Sequence, residues 1–202
     1  KFRDPPPTAV PALATEWLAR SYFLQSRGDL DGARGAALAA AGKSPGFGFA
    51  WARVAEMEFS HGQTEDALKA ATRALQFTPN NAQAVALQGF LLAARNERQA
   101  AQDRFETAIN LDPALGNAWL GLGLTKIRKG QIEAGRQDIQ TALTLEPNRA
   151  ILRSYVGKAH HQEGNFQLAR KELELAQRLD PNDPTSFLYT ALLNQQENRL
   201  NE

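Results

Sequence analysis

Apolar, small and polar positions along this chain of 202 residues recur on a fixed period. Pro45, Pro79, Pro113, Pro147 and Pro181 stand 34 residues apart, and other columns follow when the sequence is folded on that spacing. A large apolar column runs through Trp17, Trp51, Val85, Trp119 and Phe187, with Arg153 as its one polar member. Small columns accompany it: Ser21, Ala55, Gly89, Gly123 and Gly157; Ala33, Ala67, Ala101, Gly135 and Ala169; and Ala40, Ala74, Ala108, Ala142 and Ala176. Two helices approach closely only where neither carries a bulky side chain at the crossing, which gives each small column a packing reason. Gly28, Gly62, Asn96, Gly130, Gly164 and Asn198 fall midway through the units, where a helix must end in a left-handed residue. The proline then ends or follows the second helix, where its missing N–H does no harm. Each period therefore predicts helix, turn, helix.

The order of aromatic, small, small and proline positions resembles the tetratricopeptide repeat, and residues 116–149 (GNAWLGLGLTKIRKGQIEAGRQDIQTALTLEPNR) carry that pattern almost throughout. The resemblance extends over residues 14–202, as repeats 14–47, 48–81, 82–115, 116–149 and 150–183 and a partial repeat 184–202. It implies an all-α, right-handed superhelix (an α-solenoid) of five helix pairs plus one unpaired C-terminal helix. First helices are expected near 14–26, 48–60, 82–94, 116–128, 150–162 and 184–196, second helices near 30–42, 64–77, 98–111, 132–145 and 166–179. Asp183 followed by Pro184 reads as an N-cap with proline in the first turn.

A narrower resemblance lies in WLGLGLTKIRKG, RSYVGKAHHQEG and DPNDPTSFLYTALLNQQENRLNE, which look like parts of large bacterial envelope proteins that join a FecR-like domain to a tetratricopeptide array. That resemblance implies a periplasmic or envelope location, with the cytoplasm as the alternative. Residues 1–13 (KFRDPPPTAVPAL) are proline-rich and read as a semi-rigid linker. At the other end the sixth first helix lacks a partner, and Leu188, Leu192 and Leu193 are expected to be uncovered. The chain therefore reads as a fragment of a longer array, with self-association through that helix a further expectation.

Charge and composition exclude several functions. The formal net charge is +1, and Lys/Arg against Asp/Glu is 11 to 9 in residues 1–101 and 12 to 13 in 102–202. No basic face suited to nucleic acid follows. The absence of cysteine removes disulfides, thiolate metal sites and thiol nucleophiles. The longest weakly polar stretch, 84–94, is far short of the ~20 residues that cross a bilayer. AGKS at 41–44 has Ala37 where a phosphate loop needs glycine, and it ends a predicted helix where that loop follows a strand. GLGLTK at 121–126 has Lys126 where a dinucleotide fingerprint needs its third glycine. His160 and His161 are adjacent and point about 100° apart on a helix, so they cannot share a metal. Glu65, Asp66, Glu172 and Glu174 read as a solvated outer face. No enzyme, cofactor or metal is expected.

In the tetratricopeptide family the first helices line a concave groove that holds the ligand. Carried over, that role falls on Leu18 and Tyr22 in the first repeat, Phe49 and Phe59 in the second and Phe90 in the third. Leu120, Leu124, Ile127 and Arg128 follow in the fourth repeat, and Ser154, Lys158 and His161 in the fifth. For His161 a solvated surface position is the plainer expectation. The groove thus runs from aromatic to mildly basic. Some family members hold a C-terminal carboxylate with Lys and Asn on the first groove helix, where this chain has Leu18 and Tyr22. Two functions remain: a scaffold holding a protein or peptide partner, and a structural spacer or self-assembly module. A spacer needs no aromatic cluster on its inner face, which favours the scaffold.

Overall fold

Each period of sequence becomes a helical hairpin. The computed structural model describes residues 10–197, and among them are eleven α-helices and no strand. The first helices of the pairs are α1 (Ala14–Ser26), α3 (Gly48–Ser60), α5 (Ala82–Ala94), α7 (Gly116–Arg128) and α9 (Ala150–Gln162). The second helices are α2 (Leu30–Lys43), α4 (Thr64–Phe77), α6 (Arg98–Leu111), α8 (Ile132–Leu145) and α10 (Phe166–Leu179), and α11 (Pro184–Gln196) follows them. These bounds agree with the expected ones except that α2 runs on to Lys43.

The turn column has the conformation its composition requires. Gly28, Gly62, Asn96, Gly130 and Gly164 take φ of +81°, +74°, +64°, +83° and +79°. An L-residue with a branched or long side chain would be strained there. Asn198 lies outside the described residues. Caps hold several helix starts: the Asp29 carboxylate accepts from the Gly32 N–H at 2.8 Å, and Asn81 Oδ1 accepts from Ala84 N–H at 3.1 Å. Asp183 accepts from Thr185 N–H at 2.9 Å with Pro184 in the first turn of α11, as the sequence implied.

The chain divides into two compact units, one up to Glu97 and the other from Arg98 onward. In the first, a core of mostly alanine (Ala33, Ala37, Ala40, Ala55, Ala67, Ala71) closes around Met57 and Leu91, with Trp17, Trp51 and Phe59 packed on it. The backbones come close enough for Ser21 Oγ to donate to the Ala33 carbonyl across the α1–α2 hairpin at 2.7 Å. In the second unit glycine does this work. A Cβ on Gly123 or on Gly135 would stand 2.5 Å from the other's carbonyl oxygen, and one on Gly121 would stand 2.1 Å from the Phe105 ring. The glycines of GLGLTK are therefore packing positions.

Two expectations are corrected. Leu193 is fully buried against Ala169 and Leu173, so only Leu188 and Leu192 of that set are exposed. Glu172 is no bare surface acid: its carboxylate receives Arg153 at 2.9 Å with both side chains about one-fifth exposed.

Candidate ligand-binding faces of the first helices

In the first unit the candidate face is built around one buried cation. Arg53, on α3, is 2% exposed. Its Nε donates to Ser21 Oγ at 2.8 Å, Nη1 to Glu56 at 2.8 Å, and Nη2 to the Ser21 carbonyl at 3.2 Å and Gln25 Oε1 at 2.9 Å. With its donors committed to α1 and to its own helix, the guanidinium is a fixed plate, and the Tyr22 ring lies 4.0 Å from it. Tyr22 nevertheless keeps 48% of its surface exposed. Burial and the Glu56 carboxylate push its hydroxyl pKa up, against a smaller opposing pull from Arg53. Phe49, one helical turn before Arg53 on the same face of α3, is 54% exposed, with its ring 6.0 Å from Phe47. Leu18 and Phe59 are half-buried and pack on the core cluster, and Phe90 is half-buried on α5. Of the aromatic sequence candidates in this unit, Tyr22 and Phe49 are the two that are exposed.

In the second unit the face is basic and aromatic. Lys158 Nζ sits 5.1 Å above the Tyr189 ring, and that ring is 6.0 Å from Tyr155. Burial and the neighbouring Arg128 charge both push the Lys158 pKa down, while burial pushes Tyr155 and Tyr189 up. Leu124 is half-buried against the second core cluster, and Arg128 is exposed at the end of α7. His161 is half-buried, its Nε2 hydrogen-bonded with Gln196 Oε1 and its ring 5.9 Å from Phe166, so it is a partnered group and not a solvated one. Leu120, Ile127 and Ser154 are buried at 5%, 8% and 0% exposure and offer nothing to a ligand. Among the described residues no cluster of three or more His, Asp or Glu could hold a metal, and no helix is long and apolar enough to cross a membrane.

Sequence reasoning missed Arg53, Tyr155 and Tyr189. All three fall in one column of the 34-residue period, with Ala19, Leu87 and Gly121. A charged or hydroxylated residue in an otherwise small or apolar column was the available signal.

The hairpin architecture agrees with comparison to known proteins. The profile of the Tetratricopeptide repeat matches residues 24–82 and 120–184. The chain belongs to the tetratricopeptide repeat family. Protein bimA of Emericella nidulans is 38% identical over 84 residues, covering 41% of this tetratricopeptide chain and 10% of bimA. Among solved structures, the APC/C hetero-tetramer Cut9–Hcn1 matches with a TM-score of 0.84 at 19% identity, over 92% of this chain and 37% of that one. YrrB, described as a tetratricopeptide protein with an unusual peptide-binding site, matches with a TM-score of 0.57 at 15% identity, over 88% and 91% of the two chains. The chain thus spans about a tenth of bimA and just over a third of the matched Cut9–Hcn1 chain. A tetratricopeptide array of this kind is a scaffold for protein–protein interaction.

Proposed function

We propose that this tetratricopeptide array holds a peptide segment of a partner protein on its first-helix faces, with Tyr22 and Phe49 as aromatic anchors. The observation that carries this reading is the fixed placement of Tyr22 on the buried Arg53 plate while half its surface stays exposed. An aromatic ring held rigid before binding loses little freedom when a ligand covers it, so its burial converts into affinity. The peptide-binding site in YrrB's description supports the same use of the fold. Catalysis is no part of the reading, and a cell-envelope location is carried only by the sequence resemblance to FecR-linked arrays.

The test is selection of a randomised peptide library on the full chain, then affinity measurement of the selected peptides. Phe49→Ala or Tyr22→Ala should weaken binding about tenfold or more, the loss expected of a true anchor. Unchanged affinity in both variants would move the site elsewhere.

A structural spacer or self-assembly role is the second reading, favoured by the 49%, 58% and 43% exposure of Phe187, Leu188 and Leu192 on α11. Sedimentation of the chain against a Leu188→Glu variant separates the two.

A further inference from the structure

We propose that the aromatic face of Tyr22 and Phe49 is a docking surface for the chain's own proline-rich segment, residues 1–9, with Pro5, Pro6 and Pro7 laid on the two rings. The proposal rests on the reading that this face holds peptides, and adds an occupant built into the chain that a partner must displace.

The face and the segment match in kind. KFRDPPPTA carries three successive prolines, and such a run is set toward the polyproline II conformation before it binds. Segments of that kind dock on exposed aromatic side chains, because little further order is lost when they do. Tyr22 is 48% exposed and Phe49 54%, and both adjoin Arg53. The Tyr22 ring lies 4.0 Å from the guanidinium, and Phe49 stands one turn before it on α3. Charge matches as well. Glu56, whose carboxylate bears on Tyr22, keeps one-third of its side chain exposed while it holds Arg53 at 2.8 Å. The segment brings Lys1 and Arg3 against Asp4 alone.

The reach is sufficient. Glu16 Oε2 accepts from the N–H groups of Ala12 and Leu13 at 2.7 and 3.1 Å, which fixes the place where the segment leaves α1. Val10 and Leu13, at its root, are 77% and 60% exposed and pack on nothing that would hold the segment away. Tyr22 stands nine residues beyond Leu13, about 13 Å along the helix. Pro7 stands six residues before Leu13, and the backbone between them can span about 19 Å. A segment turned back beside α1 therefore brings its prolines level with Tyr22. Phe49 corresponds by the repeat period to Thr15, so along the helix direction it falls between that exit and Tyr22.

The test uses the full chain with fluorotyrosine in place of its three tyrosines, read by fluorine NMR. Tyr155 and Tyr189 belong to the second unit and serve as internal references. Pro5→Ser, Pro6→Ser and Pro7→Ser, made together, should shift the Tyr22 signal and leave the other two in place. In a Phe49→Ala background the same change should move the Tyr22 signal much less. A tethered segment competes at an effective concentration on the order of 1 mM, so library-selected peptides should bind the triply substituted chain about tenfold more tightly than the wild type. A Tyr22 signal indifferent to the three prolines overturns the proposal. A shift that disappears on dilution assigns the segment to a second copy of the chain and overturns docking within one molecule. If the signal stays still while selected peptides depend on Tyr22 and Phe49, the scaffold reading stands and this one falls. If it moves and no selected peptide depends on those rings, the segment is the occupant of the face and the scaffold reading falls.

Discussion

Arg153 Nη2 donates to the Pro147 carbonyl at 3.3 Å, and so makes with a guanidinium the contact that Trp119 makes with its indole N–H on Pro113 at 2.9 Å. Trp51 does the same on Pro45 at 2.8 Å. In all three the donor reaches the carbonyl six residues back, across the connection that ends the preceding hairpin. The polar member of the tryptophan column is thus a replacement that keeps the donor. Its Nη1 also binds Glu172 of α10 at 2.9 Å, which an indole could not do.

An order of stabilities follows. Trp119→Phe keeps an aromatic ring but gives up part of the indole's packing on the core together with one neutral, solvent-accessible hydrogen bond, whose loss alone should cost about 0.5–1.5 kcal/mol. Arg153→Ala removes the Pro147 contact and leaves Glu172 without its cation, and should cost about 1.5–3 kcal/mol. Circular-dichroism melts rank the two; Trp119→Phe melting below Arg153→Ala would show that the indole works through packing and not through its N–H.

Gly121 and Phe105 are matched in shape. A methyl group at residue 121 would meet the Phe105 ring at 2.1 Å, and that ring is fully buried. Gly121→Ala would gain helix propensity in the middle of α7 yet should destabilise by about 1–3 kcal/mol through overpacking. Adding Phe105→Leu should return part of the loss. A double variant no more stable than the sum of the single changes would exclude the ring as the obstacle.

How much of this was legible depends on what each position answers to. The hairpins were legible because the turn and proline columns obey local backbone rules that no neighbour can override. Within the faces the sequence ranks side chains by column but not by burial. Tyr22 and Phe49 stay exposed, while Leu120, Ile127 and Ser154, chosen by the same reasoning, are buried by neighbouring helices. Arg53 was only half legible: its column marks it as unusual, but a long cation reads as surface until Ser21, Gln25 and Glu56 are seen to satisfy its donors.

His61 gives the first unit a pH dependence. Its Nδ1 faces the Met57 carbonyl at 2.7 Å and its Nε2 the Asp31 carboxylate at 3.1 Å. The Met57 carbonyl and then Asp31 raise its pKa above the usual 6.5, against smaller opposition from burial and Arg34. Because the folded value is the higher one, the stabilisation is complete below the unfolded pKa and fades as pH rises through the folded one. His61→Gln should therefore lower the melting temperature at pH 5.5 and change it less at pH 8.5. An equal effect at the two pH values would mean that the charged form gains nothing in the fold.

Arg53 tests whether the exposed aromatic face is built or accidental. Its side chain ties Ser21, Gln25 and Glu56 together beneath Tyr22, whose ring rests 4.0 Å from the guanidinium. Arg53→Met keeps much of the volume but leaves the Ser21 carbonyl without this donor and Glu56 without its cation. It should cost about 1.5–3 kcal/mol, the range for hydrogen bonds to a charged group. Arg53→Lys should restore little, because an ammonium has no planar fork to reach α1 and Glu56 together and no plate for the ring. If Tyr22 anchors a partner only because Arg53 fixes it, Arg53→Met should weaken peptide binding nearly as much as Tyr22→Ala, and the two changes together should cost little more than one. Independent, additive losses would mean that Tyr22 binds without the plate, and that the buried guanidinium serves folding alone.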